Sequence, residues 1–230
     1  MRKFAMGTVL GKVDAPASES MPESKLETRM VQALRWRKTD GSSIRSFNSI
    51  LLKFPQIDRN LQNCKSIFDR FDENSNGTID LEELRNCLHE LNVRFSEEEI
   101  VELFGECDIN EDKGINFSEF IVLLCLVYLL KDDPNGQYVK LRMEMAELES
   151  AFETLVDAFI FLDKNKDGYL TKTEMVQAID ESGEQSSARI AVKRFEEMDY
   201  DKNGMVNFKE FLFAFVRWVG IDDPDDDDSP

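Results

Sequence analysis

Apolar side chains recur three and four residues apart along much of this chain, and these stretches alternate with short segments rich in Asp, Asn and Gly. Cys64, Ile67, Phe68 and Phe71 fall on one face of a helix, and Leu84, Cys87, Leu88 and Leu91 on one face of the next. The pattern returns at Phe152, Leu155, Val156 and Phe159, again at Val192, Phe195 and Met198, and finally at Phe211, Leu212, Phe215 and Val216. Ser96 followed by Glu99 predicts a capping box, in which each side chain accepts a backbone N–H at the start of a helix. Phe120 to Leu130 is apolar at all eleven positions. A membrane span needs roughly 20 residues, so a buried helix is expected here.

The polar segments are copies of one twelve-residue unit, starting at Asp72, Asp108, Asp163 and Asp199. The first two starts are 36 residues apart, the last two are also 36 apart, and 55 separate the pairs. Such a period marks duplicated units that work in twos. The expected fold is all-α: four helix–loop–helix units in two paired lobes.

Oxygen donors recur at fixed offsets inside each loop. Calcium, a hard cation, takes six to eight oxygens. A loop of twelve supplies them from side chains at positions 1, 3 and 5, a carbonyl at 7, often a water at 9, and a two-oxygen Glu at 12. The first loop, DENSNGTIDLEE, offers Asp72, Asn74, Asn76, Thr78, Asp80 and Glu83. The third, DKNKDGYLTKTE, offers Asp163, Asn165, Asp167, Tyr169, Thr171 and Glu174. The fourth, DYDKNGMVNFKE, offers Asp199, Asp201, Asn203, Met205, Asn207 and Glu210. Gly77, Gly168 and Gly204 stand at position 6, where a sharp turn needs positive φ. The second loop, DINEDKGINFSE, keeps Asp108, Asn110, Asp112, Asn116 and Glu119 but has Lys113 at position 6 and Gly114 at position 7. A left-handed Lys costs on the order of 1 kcal/mol and adds positive charge beside an ion, so this loop is expected to bind weakly or to be structural only. Three carboxylates at ligand positions in each loop predict dissociation constants of roughly 10⁻⁷ to 10⁻⁵ M in the glycine-containing hands. Position 8 is apolar every time, which predicts short β-ribbons pairing Ile79 with Ile115 and Leu170 with Val206.

The chain divides accordingly: an extension at 1–60, a first pair at 61–130, a linker at 131–150, a second pair at 151–219 and an acidic tail at 220–230. Residues 1–23 and the Asp-rich tail read as disordered. Helices are expected over Lys25 to Lys38 and Ile44 to Lys53, the latter ended by Pro55, with another over Val139 to Glu149 after the break at 132–136. The 25–38 segment places Leu26, Met30 and Leu34 on one side and carries Arg29, Arg35, Arg37 and Lys38. It resembles a target helix that would occupy the protein's own groove until calcium or a partner displaces it, with an ordinary helix or a mobile leader as the alternative.

Composition narrows the function. Acidic residues outnumber basic ones by 46 to 28, a formal charge of −18, which argues against nucleic acid and for cations or basic partners. With 42% apolar residues and 17 Phe, the chain can bury a substantial core. The cysteines, Cys64, Cys87, Cys107 and Cys125, form no C-x-x-C and have only His89 to join them, so zinc is not expected. No apolar leader marks a secretory signal, so free thiols and a cytoplasmic or also nuclear location are expected. No phosphate loop or nucleophile motif points to an enzyme.

FDRFDENSNGTIDLEEL and FEEMDYDKNGMVNFKEF are similar to the helix–loop–helix pattern of calmodulin and its relatives. The long leader, lengthened linker and acidic tail resemble the divergent plant calmodulin-like proteins. The resemblance covers about residues 61–219 and implies an EF-hand fold, calcium as the ligand, and a non-enzymatic, monomeric sensor. Such a sensor exposes a hydrophobic groove to a basic amphipathic target helix. A calcium buffer that barely opens, or a dedicated regulatory subunit of a phosphatase or kinase, are the alternatives. The flanking helices rely on Phe, Leu and Val rather than adaptable Met, which implies a narrower choice of targets.

Overall fold

The computed structural model describes residues 22, 24–37, 50, 53–131, 146–181 and 187–221. The leader, the break at 132–136 and the Asp-rich tail lie outside them, as do most of the expected 44–53 and 139–149 helices.

Helix α1 spans Lys25–Trp36, one residue after Ser24, whose hydroxyl accepts the Glu27 N–H at 3.0 Å. The next helix, α2 (Phe54–Gln62), has Pro55 in its first turn, where a missing N–H costs nothing. The N-terminal lobe follows as α3 (Lys65–Phe71), α4 (Leu81–Glu90), α5 (Glu97–Cys107) and α6 (Phe117–Leu130). The C-terminal lobe comprises α7 (Ala146–Leu162), β1 (Leu170–Thr171), α8 (Lys172–Asp180), α9 (Ser187–Met198), β2 (Met205–Val206) and α10 (Phe208–Trp218). The fold is all-α with a minimal β-ribbon, as the period predicts.

The position-8 residues join the hands within each lobe. Ile79 and Ile115 exchange both backbone hydrogen bonds at 2.8 Å, and β1 pairs antiparallel with β2 in the register Leu170 to Val206. All four side chains are fully buried. Aromatic edges close each half of the core. Phe68 meets Phe117 and Phe120 edge-on, with centroids at 5.6 and 5.5 Å, and Phe159 meets Phe208 and Phe211 at 5.2 and 5.5 Å.

The apolar run becomes α6, in which every residue from Phe120 to Leu130 is buried. A helix apolar on all sides must be covered on all sides. Within its lobe α6 meets α3 and α5; from outside it is covered by α1, α7 and, most extensively, α10. The lobes therefore pack on each other, a relation the loop spacing does not encode. Tyr128 lies 5.7 Å from Phe152, Ser118 Oγ donates to the Ile221 carbonyl at 2.9 Å, and Lys209 pairs with Glu106. No helix among the described residues is long and apolar enough to cross a membrane.

Candidate calcium centres

Each loop follows the C-terminal end of one helix and leads into the N-terminus of the next, and its first ligand is where the entering helix stops. The N–H groups of Asp72, Asp108, Asp163 and Asp199 still donate to Phe68, Phe104, Phe159 and Phe195, each at 2.9 Å. The position-1 carboxylate then organises the turn: its Oδ2 accepts the position-6 N–H, from Gly77 to Asp72 at 2.9 Å, Gly168 to Asp163 at 2.9 Å and Gly204 to Asp199 at 3.2 Å.

The second loop makes the same bond. Lys113 adopts φ 70° and donates to Asp108 Oδ2 at 3.1 Å. The left-handed position is held by a residue the sequence pattern treats as a flaw. Gly114 is placed for a different reason: a Cβ there would meet Thr78 Oγ1 of the first loop at 2.6 Å. The glycine sits where the two loops touch, and Lys113 makes the bend.

A second left-handed position recurs at loop position 4, where Ser75, Glu111, Lys166 and Lys202 have φ of 55–59°. Serine, glutamate and lysine share no chemistry that would mark this bend, so residue types give no signal for it.

Positions 9 and 12 form one device in every loop. Asp80, Asn116, Thr171 and Asn207 are N-caps of the exiting helices, and each completes a capping box with Glu83, Glu119, Glu174 or Glu210. One glutamate oxygen accepts the position-9 N–H at 2.9 Å in all four loops. The other reaches back to the loop's start, to the N–H of Glu73 and Ile109 at 3.0 Å and of Asn165 and Tyr200 at 3.1 Å. The residue meant to supply two oxygens is thus already folded over the loop, cross-linking its two ends.

The electrostatics favour a cation. Burial raises the carboxyl of Glu119 to about 7 and that of Asp163 to about 6, and pushes Asp199 and Glu210 upward as well. Asp108 Oδ1 and Asp199 Oδ1 are buried with no hydrogen-bond partner, in the second and fourth loops. Asp199, Asp201 and Glu210 each place an oxygen within 4.8 Å of the other two. Carboxylate oxygens crowded together in the fourth loop, and in part buried and orphaned, fit a hard divalent ion.

Helix–loop–helix units joined in twos through their eighth loop residues define an EF-hand protein. A family model described as an EF-hand domain pair matches residues 61–124 and again 152–216. "Probable calcium-binding protein CML21" of Arabidopsis thaliana is 62% identical over 95% of this chain and 94% of its own length. "Probable calcium-binding protein CML22" from the same plant is 43% identical over 89% and 91%. Calcium-dependent protein kinase 19 of Oryza sativa subsp. japonica is 26% identical over 92% of this chain, which spans 35% of that kinase. This chain belongs to the EF-hand family and is a calmodulin-like calcium-binding protein.

Proposed function

We propose that this protein is a calcium sensor that takes up four calcium ions, one per loop, and regulates target proteins without catalysing a reaction itself. The observation that carries the sensor reading is the cover over α6. Its largest outside contact is α10, the helix that leaves the fourth loop. A sensor hand swings its helices apart when calcium arrives. Rotation of α10 therefore uncovers the apolar side of α6 and gives an amphipathic target helix a place to dock. Four ions move the formal charge from −18 to about −10, and a basic target still meets an attractive field. The working form is a monomer in the cytoplasm, and also in the nucleus where its targets are there.

The second loop is included because Lys113 makes the same turn bond as the glycines and Asp108 keeps an orphaned buried oxygen. The first, third and fourth loops use the full donor sets read from the sequence.

Retention on a hydrophobic resin, with calcium and with chelator, tests the sensor reading. Strong retention in calcium alone is expected. Equal retention in both would mean that α10 stays on α6 and that the protein is a calcium buffer. Native mass spectrometry at micromolar calcium tests the stoichiometry, with four retained ions expected.

A further inference from the structure

Loop 3 has a neighbour from outside its own lobe. Helix α1 crosses it and meets three consecutive loop residues, at positions 5, 6 and 7. Arg35 Nη2 donates to the Asp167 carbonyl at 2.8 Å. The Val31 methyls lie so close to Gly168 that a Cβ there would meet Cγ1 at 2.9 Å and Cγ2 at 3.1 Å. Tyr169 Oη donates to Glu27 Oε1 at 3.2 Å. Glu27, Val31 and Arg35 are each four residues apart, so they form one stripe along the helix.

The rest of α1 is fixed elsewhere, so this stripe is held rigidly over the loop. Leu26, Met30, Ala33 and Leu34 are buried in the core, with α6 and α5 as α1's neighbours. The Leu26 N–H donates to Glu102 Oε1 at 2.9 Å, and Arg29 pairs with Glu99 while lying over the Phe95 ring. At the other end, Arg37 approaches Glu153 and Asp157 of α7 at 3.7 and 3.9 Å.

We propose that α1 is a working part of the third calcium site: Glu27, Val31 and Arg35 are positioning residues that hold positions 5–7 in their ion-ready turn, so calcium in loop 3 and docking of α1 reinforce each other. Val31 backs the left-handed Gly168, whose φ is 88°. Glu27 tethers the ring of Tyr169, whose backbone carbonyl is the position-7 donor, and Arg35 fixes the carbonyl two residues earlier. A loop ordered before the ion arrives loses less freedom on binding and binds more tightly. The Arg35 charge opposes this, but its contact is exposed and solvent screens it, so ordering wins. Coupling between two equilibria is reciprocal, so calcium in loop 3 must tighten α1 by the same factor. The sign is opposite to a self-blocking helix that calcium ejects: α1 stays.

The inference rests on loop 3 binding calcium but not on the choice between sensor and buffer. The test is a calcium titration of the full chain followed through the amide resonances of Gly77 and Gly168, which report loops 1 and 3 separately. In the Glu27→Ala/Val31→Ala variant the Gly168 midpoint is expected to rise about fivefold or more while Gly77 moves less than about twofold. Glu27→Gln, which keeps an acceptor for the Tyr169 hydroxyl, is expected to restore the midpoint when paired with native Val31. In the unmutated protein, amide exchange from Met30 to Leu34 is expected to slow when calcium is added. An unchanged or lowered Gly168 midpoint with α1 still helical, or faster exchange in calcium, overturns the proposal. If the double variant fails to fold, Glu27→Ala alone and the exchange measurement decide. A native loop 3 that titrates only at millimolar calcium removes the site itself, a result distinct from either.

Discussion

At the scale of single residues, the six-position bend separates what a glycine is for from where it stands. Gly77, Gly168 and Gly204 share a φ of 86–89°, yet their surroundings differ. A Cβ on Gly77 or Gly204 would find nothing within 4 Å, whereas on Gly168 it would strike Val31. Gly204→Ala is expected to cost about 1 kcal/mol, because at φ 86° the strain on a Cβ exceeds what alanine regains through its stiffer unfolded chain, and Gly168→Ala at least about 1 kcal/mol more. Urea denaturation of the two variants checks this, and equal losses would mean that α1 gives way. Lys113→Gly is expected to change stability by less than about 0.5 kcal/mol, because relief of left-handed strain and the greater unfolded freedom of glycine offset each other. Calcium affinity in loop 2 is expected to rise roughly two- to threefold as an exposed positive charge disappears. Calorimetric titration distinguishes the two effects. The four loops themselves were legible, since carboxylates and amides at fixed offsets are a chemical pattern. The position-4 bends at Ser75, Glu111, Lys166 and Lys202 were not, because backbone geometry imposed by the ring of loop hydrogen bonds leaves the side chains free to vary.

At the scale of elements, the loop and the exiting helix share residues. Asn207 both stands at loop position 9 and accepts the Glu210 N–H at 2.9 Å as the cap of α10. Asn207→Ala is expected to destabilise the calcium-free protein by about 1 kcal/mol, measured by thermal or urea unfolding in chelator. No loss in chelator would show that the side chain serves the ion alone. The Ser96–Glu99 capping box and the apolar faces of α3, α4 and α10 follow from periodicity and are found where the sequence places them. Helix α1 is also found, ending at Trp36 rather than Lys38. Its stripe of Glu27, Val31 and Arg35 carries no sequence signal of the contacts it makes, because the loop it touches lies more than 130 residues away. An amphipathic pattern says that a face will be buried but does not name the surface that buries it.

At the scale of the whole molecule, burial of the thiols reports on the shared core. Cys64, Cys87, Cys107 and Cys125 are fully buried, and desolvation raises Cys64 to about 12 and pushes the other three upward as well. A free thiol titrates near ~8.5, so the folded protein holds these protons more tightly than the unfolded chain. Their contribution to stability is complete below about 8.5 and is lost as pH rises toward 12 and beyond. The thiols are therefore expected to resist a thiol reagent at pH 8 until urea is added, and rapid labelling of the native protein would contradict their burial. Loop spacing revealed two lobes but not their mutual packing, since the apolar run of α6 demanded a cover without identifying one. That cover has a consequence in time. The ribosome completes α6 before it begins the 77 residues that precede α10, which at ~5–20 residues per second takes roughly 4–15 s. Through that interval the growing polypeptide displays a greasy flank that its own later part has yet to shield. A product halted near residue 150 is expected to precipitate or cling to chaperones, while the finished protein does neither.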